Sequence, residues 1–159
     1  MTDTNRIGIE SQAATEIVDH LNTLLANYQI FYQNARGFHW NIKGEKFFEL
    51  HLKFEELYND LLLKVDEVAE RILTLGATPL HAYTQFQEVS TIKEVINAHA
   101  PEPIIQSILD SFKVLIGLQR KLLTLSSEAD DEGTSALMSD YIRAQEKMVW
   151  MYSAYLGQR

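Results

Sequence analysis

The sequence predicts an all-α protein: four long helices in one bundle, with a long crossover carrying a short helix between the second and third. Three observations predict it. Apolar residues recur at helical spacing along most of the chain. Gly (7) and Pro (3) are scarce, which disfavours many short strands joined by turns. The breaks in the apolar pattern coincide with helix-ending residues. With 159 residues, 46% hydrophobic and 23% charged, the chain has an ordinary globular balance and can bury one core. It is read as a single domain, residues 1–159.

The first helical segment runs from about Ser11 to Gly37 through Ile17, Val18, Leu21, Leu24, Leu25, Tyr28, Phe31 and Tyr32. Asn41 to Glu45, with Gly44, breaks the pattern. The second runs from about Lys46 to Leu75, and Gly76 and Pro79 supply its stop. Thr91 and Glu94 have capping-box spacing, which predicts a short helix starting at Thr91. Pro101 and Pro103 open the third long segment, which continues to about Ser127. A polar acidic loop, Glu128 to Gly133, precedes the last helix, which ends near Leu156. The stretch between the second and third long helices is too long for a hairpin loop and can cross the bundle end to end. That is the ferritin-like arrangement.

Composition narrows the chemistry. There are no cysteines, so thiolate metal sites, disulfides and cysteine nucleophiles are excluded, and a metal must be held by His, Asp and Glu. The net charge of −8 is the wrong sign for wrapping nucleic acid and suits attraction of cations. Met1–Glu10 has no apolar core of a signal peptide, and no apolar run is long enough to span a bilayer, so the expected location is cytoplasmic, with no membrane contact.

A metal site inside such a bundle normally uses Glu-x-x-His. The residues three before His20, His39, His51, His81 and His99 are Ile17, Arg36, Phe48, Thr78 and Ile96, none of them acidic. The second helix offers another arrangement: His51 with Glu55, and Asp66 with Glu70, are pairs four apart. At 100° per residue they lie at about 0°, 40°, 60° and 100°, on one face. The two pairs are separated by about 22 Å along the helix, so one ion cannot join them within one chain. An antiparallel second copy across a two-fold axis would set one chain's His51 and Glu55 opposite the other's Asp66 and Glu70, forming two identical sites. His39, near the end of the first helix, can add a second imidazole. This set suits iron; zinc, manganese or cobalt could also occupy it. The alternative is a solvated face carrying ordinary ion pairs.

At these residues the sequence resembles the Dps proteins, or mini-ferritins (DNA-binding proteins from starved cells). The resemblance rests on His39-Trp40-Asn41-Ile42-Lys43-Gly44, Leu50-His51 and Glu55. It rests also on Val65-Asp66-Glu67-Val68-Ala69-Glu70-Arg71, Leu75-Gly76 and Pro79. It implies a hollow dodecamer with tetrahedral symmetry and a ferroxidase centre at the dimer interface. His39, His51 and Glu55 would come from one subunit, and Asp66 and Glu70 from the other. Many relatives have Asp where this chain has Glu55. Trp40 would sit beside the centre, either giving up an electron to contain radicals or simply packing at the interface. The implied activity is oxidation of Fe(II), with hydrogen peroxide preferred over oxygen, and storage of Fe(III) mineral inside the shell. That activity protects against oxidative damage.

The resemblance also implies acidic pores at one class of three-fold axis. Glu128, Asp130, Asp131 and Glu132 are the pore candidates, against the reading of a solvated acidic loop. Relatives that bind DNA do so through a lysine-rich terminus. Here the first lysine is Lys43, and Gly157-Gln158-Arg159 offers one basic residue, so tight DNA binding is not expected. Two other readings compete. One is a non-catalytic DNA-protecting or structural cage with an idle or zinc-filled site, and the other is a monomeric bundle that binds a partner.

Overall fold

The computed structural model describes residues 3–158; Arg159 lies outside them. Its elements are α1 (Ser11–Asn41), α2 (Phe47–Thr74), α3 (Tyr83–Val89), α4 (Pro101–Glu128) and α5 (Glu132–Tyr155). α1 packs along α2, α4 along α5, and α1 also against α4, while the short α3 lies on α1. This is the predicted four-helix bundle with a helix in its crossover.

Local chemistry sets the helix ends. Glu10 caps α1 by accepting from the backbone of Gln12 and Ala13 at 3.1 and 2.9 Å. α1 extends four residues beyond the expected Gly37, because Phe38 and His39 are buried and the Ile42 N–H still reaches the Phe38 carbonyl at 3.0 Å. α2 stops as predicted. Gly76 adopts φ +94°, its N–H reaches the Leu73 carbonyl at 2.9 Å, and the Ala77 N–H reaches that of Ile72 at 3.1 Å. Pro101 occupies the first turn of α4. The acidic loop is shorter than expected: only 129–131 lie between α4 and α5.

The crossover helix is not where the Thr91–Glu94 spacing predicts. It lies earlier, at Tyr83–Val89. Gln85 Oε1 accepts from the N–H groups of His81 and Ala82 at 2.9 and 3.1 Å and so fixes its start. Thr91 is engaged elsewhere: its hydroxyl and N–H both donate to the buried Asn27 Oδ1 on α1, each at 3.1 Å. Ile92 N–H and the Ser90 hydroxyl donate to the same oxygen. Asn34 holds the next stretch, accepting from Val95 N–H and donating to the Lys93 carbonyl, both at 2.9 Å.

The core runs the length of the bundle through Leu21, Leu24, Phe31, Phe38, Phe54, Leu61, Phe112, Leu115 and Leu122. At its centre, Tyr28, Gln119 and Gln145 form a closed ring. The Tyr28 hydroxyl donates to Gln119, Gln119 to Gln145 at 2.8 Å, and Gln145 back to the Tyr28 oxygen at 2.6 Å. Each group gives and takes one bond, so this buried polar cluster is neutral and satisfied. Burial holds the Tyr28 phenol well above its ordinary pKa. No helix among the described residues is long and apolar enough to cross a membrane.

Candidate metal centre

The last turn of α1 and the first turns of α2 place His39 and His51 against each other. Their rings stack with centroids 3.8 Å apart and planes 11° from parallel. His39 Nδ1 donates to the His51 carbonyl at 2.6 Å, and His51 Nδ1 donates to the His39 carbonyl at 2.7 Å. A carbonyl can only accept, so each Nδ1 carries a proton, and in the neutral ring the lone pair is left on Nε2. Backbone bonds of this kind fix the tautomer and orientation of a metal-binding imidazole. Glu55, one turn after His51, brings Oε1 to 3.7 Å from His39 Nε2. His39 is buried, while His51 and Glu55 are half-buried.

Two neighbours escape the ligand search in the sequence. Phe47 stacks on the His51 ring at 4.8 Å, and Tyr58 meets the His39 ring edge-on at 5.3 Å. Tyr58 lies two turns after His51 on the same face of α2, and that spacing is its only sequence signal. Trp40 is not part of this cluster. It is 56% exposed, and the Arg36 guanidinium lies 5.0 Å over its ring. Arg36 also reaches the Tyr32 hydroxyl at 2.8 Å and lies 5.1 Å over Tyr58.

Asp66 and Glu70 are exposed on the C-terminal half of α2, on the helix face that carries His51 and Glu55. Among the described residues, no three His, Asp or Glu side chains of one chain converge closely enough to hold an ion. His39, His51 and Glu55 thus lie together where α1 meets the start of α2, and Asp66 and Glu70 lie apart from them toward the other end of α2. Between and around them the same face exposes Phe48, Leu52, Leu62, Leu63 and Leu73. The donor set, imidazole nitrogen with carboxylate oxygen, fits iron and equally zinc, manganese or cobalt.

The acidic residues before α5 divide. Glu128, Asp130 and Glu132 are exposed. The Asp131 side chain is 1% exposed and bonded to Arg71 Nη2 at 2.6 Å. It also caps α5 by accepting from Thr134 N–H at 3.1 Å. Its burial separates it from the three carboxylates that face solvent.

A family profile described as a ferritin-like domain matches residues 18–159. The chain is 40% identical to the DNA protection during starvation protein of Porphyromonas gingivalis over 148 residues, covering 93% of each. The chain belongs to the Dps family of ferritin-like proteins. Its fold agrees with solved Dps structures. The Vibrio cholerae O1 Dps protein superposes with a TM-score of 0.96 at 52% identity over 98% of each chain. That protein is described as a member of a broad superfamily of ferritin-like diiron-carboxylate proteins. The Dps protein of Bacillus brevis superposes with a TM-score of 0.88 at 33% identity, over 91% of this chain and 97% of that one. In this Dps chain the bundle centre, where Glu-x-x-His motifs would project, is filled by the Tyr28–Gln119–Gln145 ring.

Proposed function

We propose that this Dps protein is a cytoplasmic ferroxidase and iron store. Two antiparallel copies of α2 complete each centre: His39, His51 and Glu55 come from one subunit, and Asp66 and Glu70 from the other. The observation that carries the reading is the reciprocally locked histidine pair beside Glu55. It presents oriented imidazole lone pairs with too few ligands in its own chain. The exposed apolar side chains interleaved with the ligands support a second copy, because a face of this kind is covered in a stable assembly. The assembly proposed is a dodecameric shell with its centres at the two-fold interfaces.

Iron is the substrate. Two Fe(II) give two electrons to one hydrogen peroxide, and two protons complete two waters. Both reactants of hydroxyl-radical chemistry are consumed together. The carboxylates stabilise the harder Fe(III) product, and the imidazoles supply nitrogen donors through Nε2. Zinc and other divalent ions compete for the same donors. Trp40, outside the cluster but next to His39 in the chain, is proposed as an electron donor that contains stray radicals. Glu128, Asp130 and Glu132 are proposed to line the iron entry pore and concentrate cations there.

The test is anaerobic loading with Fe(II), then peroxide, then gel filtration with iron counted in the protein peak. A cage-sized peak carrying many more irons than ligand sites is expected. A cage-sized peak without retained iron favours the second reading, a DNA-protecting or structural cage. The naming of the Porphyromonas gingivalis relative for DNA protection keeps that reading in view. The net charge of −8 argues against direct phosphate binding, and no gel shift is expected above physiological salt.

A further inference from the structure

α2 carries Asp66 and Glu70 on its outward face, and Glu67 and Arg71 each lie about 100° further round. Those two side chains grip α5. The Tyr141 hydroxyl donates to Glu67 at 2.9 Å. Arg71 Nη2 donates to Asp131 at 2.6 Å, and Arg71 Nε donates to Thr134 Oγ1 at 2.9 Å. Thr134 in turn donates its hydroxyl to Asp131 Oδ2 at 2.6 Å. The guanidinium lies flat on Gly133: a Cβ there would stand 2.7–2.9 Å from three of its atoms. Arg71 is one turn from the end of α2, where a helix otherwise frays.

We propose that Arg71, clamped by Asp131, Thr134 and Gly133, is a positioning residue that sets the rotation of the α2 C-terminal half and so aims Asp66 and Glu70 at the metal. This inference rests on the shared centre proposed above. The planar fork of Arg71 addresses Asp131 and Thr134 together, which a lysine cannot do. Asp131 has both oxygens committed and is buried, so its charge serves the clamp. The exposed Glu128, Asp130 and Glu132 are free of it. One acidic segment thus carries two separable roles: Asp131 acts on the centre, and its neighbours act on the solvent side.

The experiment uses the assembled full-length protein and Co(II) as probe. Binding is followed by titration and by visible absorption, which reports ligand geometry. Arg71→Lys, Asp131→Asn and Gly133→Ala are compared with the parent and with Arg120→Gln, which breaks an exposed ion pair between α4 and α5, Arg120 to Glu146 at 2.7 Å, away from the clamp. Gly133→Ala keeps every hydrogen-bonding group and only displaces the guanidinium, so it serves where Asp131→Asn fails to fold. The three clamp variants are expected to weaken Co(II) binding about tenfold or more and to alter its spectrum. Arg120→Gln is expected to change neither. Parent-like affinity and spectrum in Gly133→Ala and Arg71→Lys overturn the proposal, as does an equal loss in Arg120→Gln. Should the parent bind no Co(II), or Asp66→Ala bind it like the parent, the shared centre itself falls and the clamp's role falls with it.

Discussion

His39 and His51 each donate Nδ1–H to the other's backbone carbonyl, at 2.6 and 2.7 Å. Each histidine therefore orients its neighbour as well as offering its own Nε2. His39→Ala and His51→Ala are each expected to slow Fe(II) oxidation tenfold or more. The double variant should be about as slow as either single one, because removing one ring already releases the other. Initial rates of Fe(III) formation in the four proteins test this. Multiplicative losses would show that the rings act independently.

Glu55 reaches His39 Nε2 at 3.7 Å with the length of a glutamate side chain. Glu55→Asp draws the carboxylate back by one methylene, while the stacked imidazoles stay in place. Oxidation should slow by less than tenfold in Glu55→Asp and by more in Glu55→Ala. Ferrous titration of both variants separates a change in affinity from a change in rate. Parent-like affinity and rate in both variants would remove Glu55 from the ligand set.

Asn27 Oδ1 accepts from Ser90, Thr91 and Ile92, and Asn27 Nδ2 holds the Thr23 carbonyl at 2.9 Å. Asn27→Ala leaves the buried Ile92 N–H without its partner and releases the exposed Thr91, while the Ser90 hydroxyl keeps the Ile92 carbonyl at 2.8 Å. The expected cost is about 2–4 kcal/mol, from one to two unsatisfied buried groups. Amide exchange should quicken most at Thr91 and Ile92. A melting temperature equal to the parent's would contradict this.

The same asparagine explains where the sequence was misleading. A threonine three residues before a glutamate reads as a helix start, but the hydroxyl of Thr91 is claimed by a residue 64 positions earlier. Local pattern cannot report a partner at that distance. The long helices were legible because their apolar stripes and the Gly76 stop are local properties. His51, Glu55, Asp66 and Glu70 share a face by arithmetic on one helix, so their alignment was legible too. The separation of Asp131 from its acidic neighbours was not. It depends on Arg71, 60 positions away, and on the missing side chain at Gly133. Tyr58 was missed because an aromatic at helical spacing reads first as core.

Three tyrosines make the fold sensitive to alkali. Burial pushes the phenols of Tyr28, Tyr141 and Tyr152 above the ordinary value of 10.0. Tyr141 is raised further by its bond to Glu67. In the folded chain they stay protonated as pH rises through 10, while in the unfolded chain they ionise. The unfolded state then binds fewer protons, so stability is fully present below pH 10 and declines above it. Each tyrosine contributes up to about 1.4 kcal/mol per pH unit to that decline. Tyr152 gives the cleanest variant, because its buried hydroxyl has no hydrogen-bond partner among the described residues. Tyr152→Phe should be at least as stable as the parent at pH 7, since an unsatisfied hydroxyl is removed from the core. It should also lose stability less steeply above pH 10. Urea unfolding of both proteins at pH 7, 9, 10 and 11 measures the two slopes. Identical slopes would mean that Tyr152 ionises alike in the folded and unfolded chains.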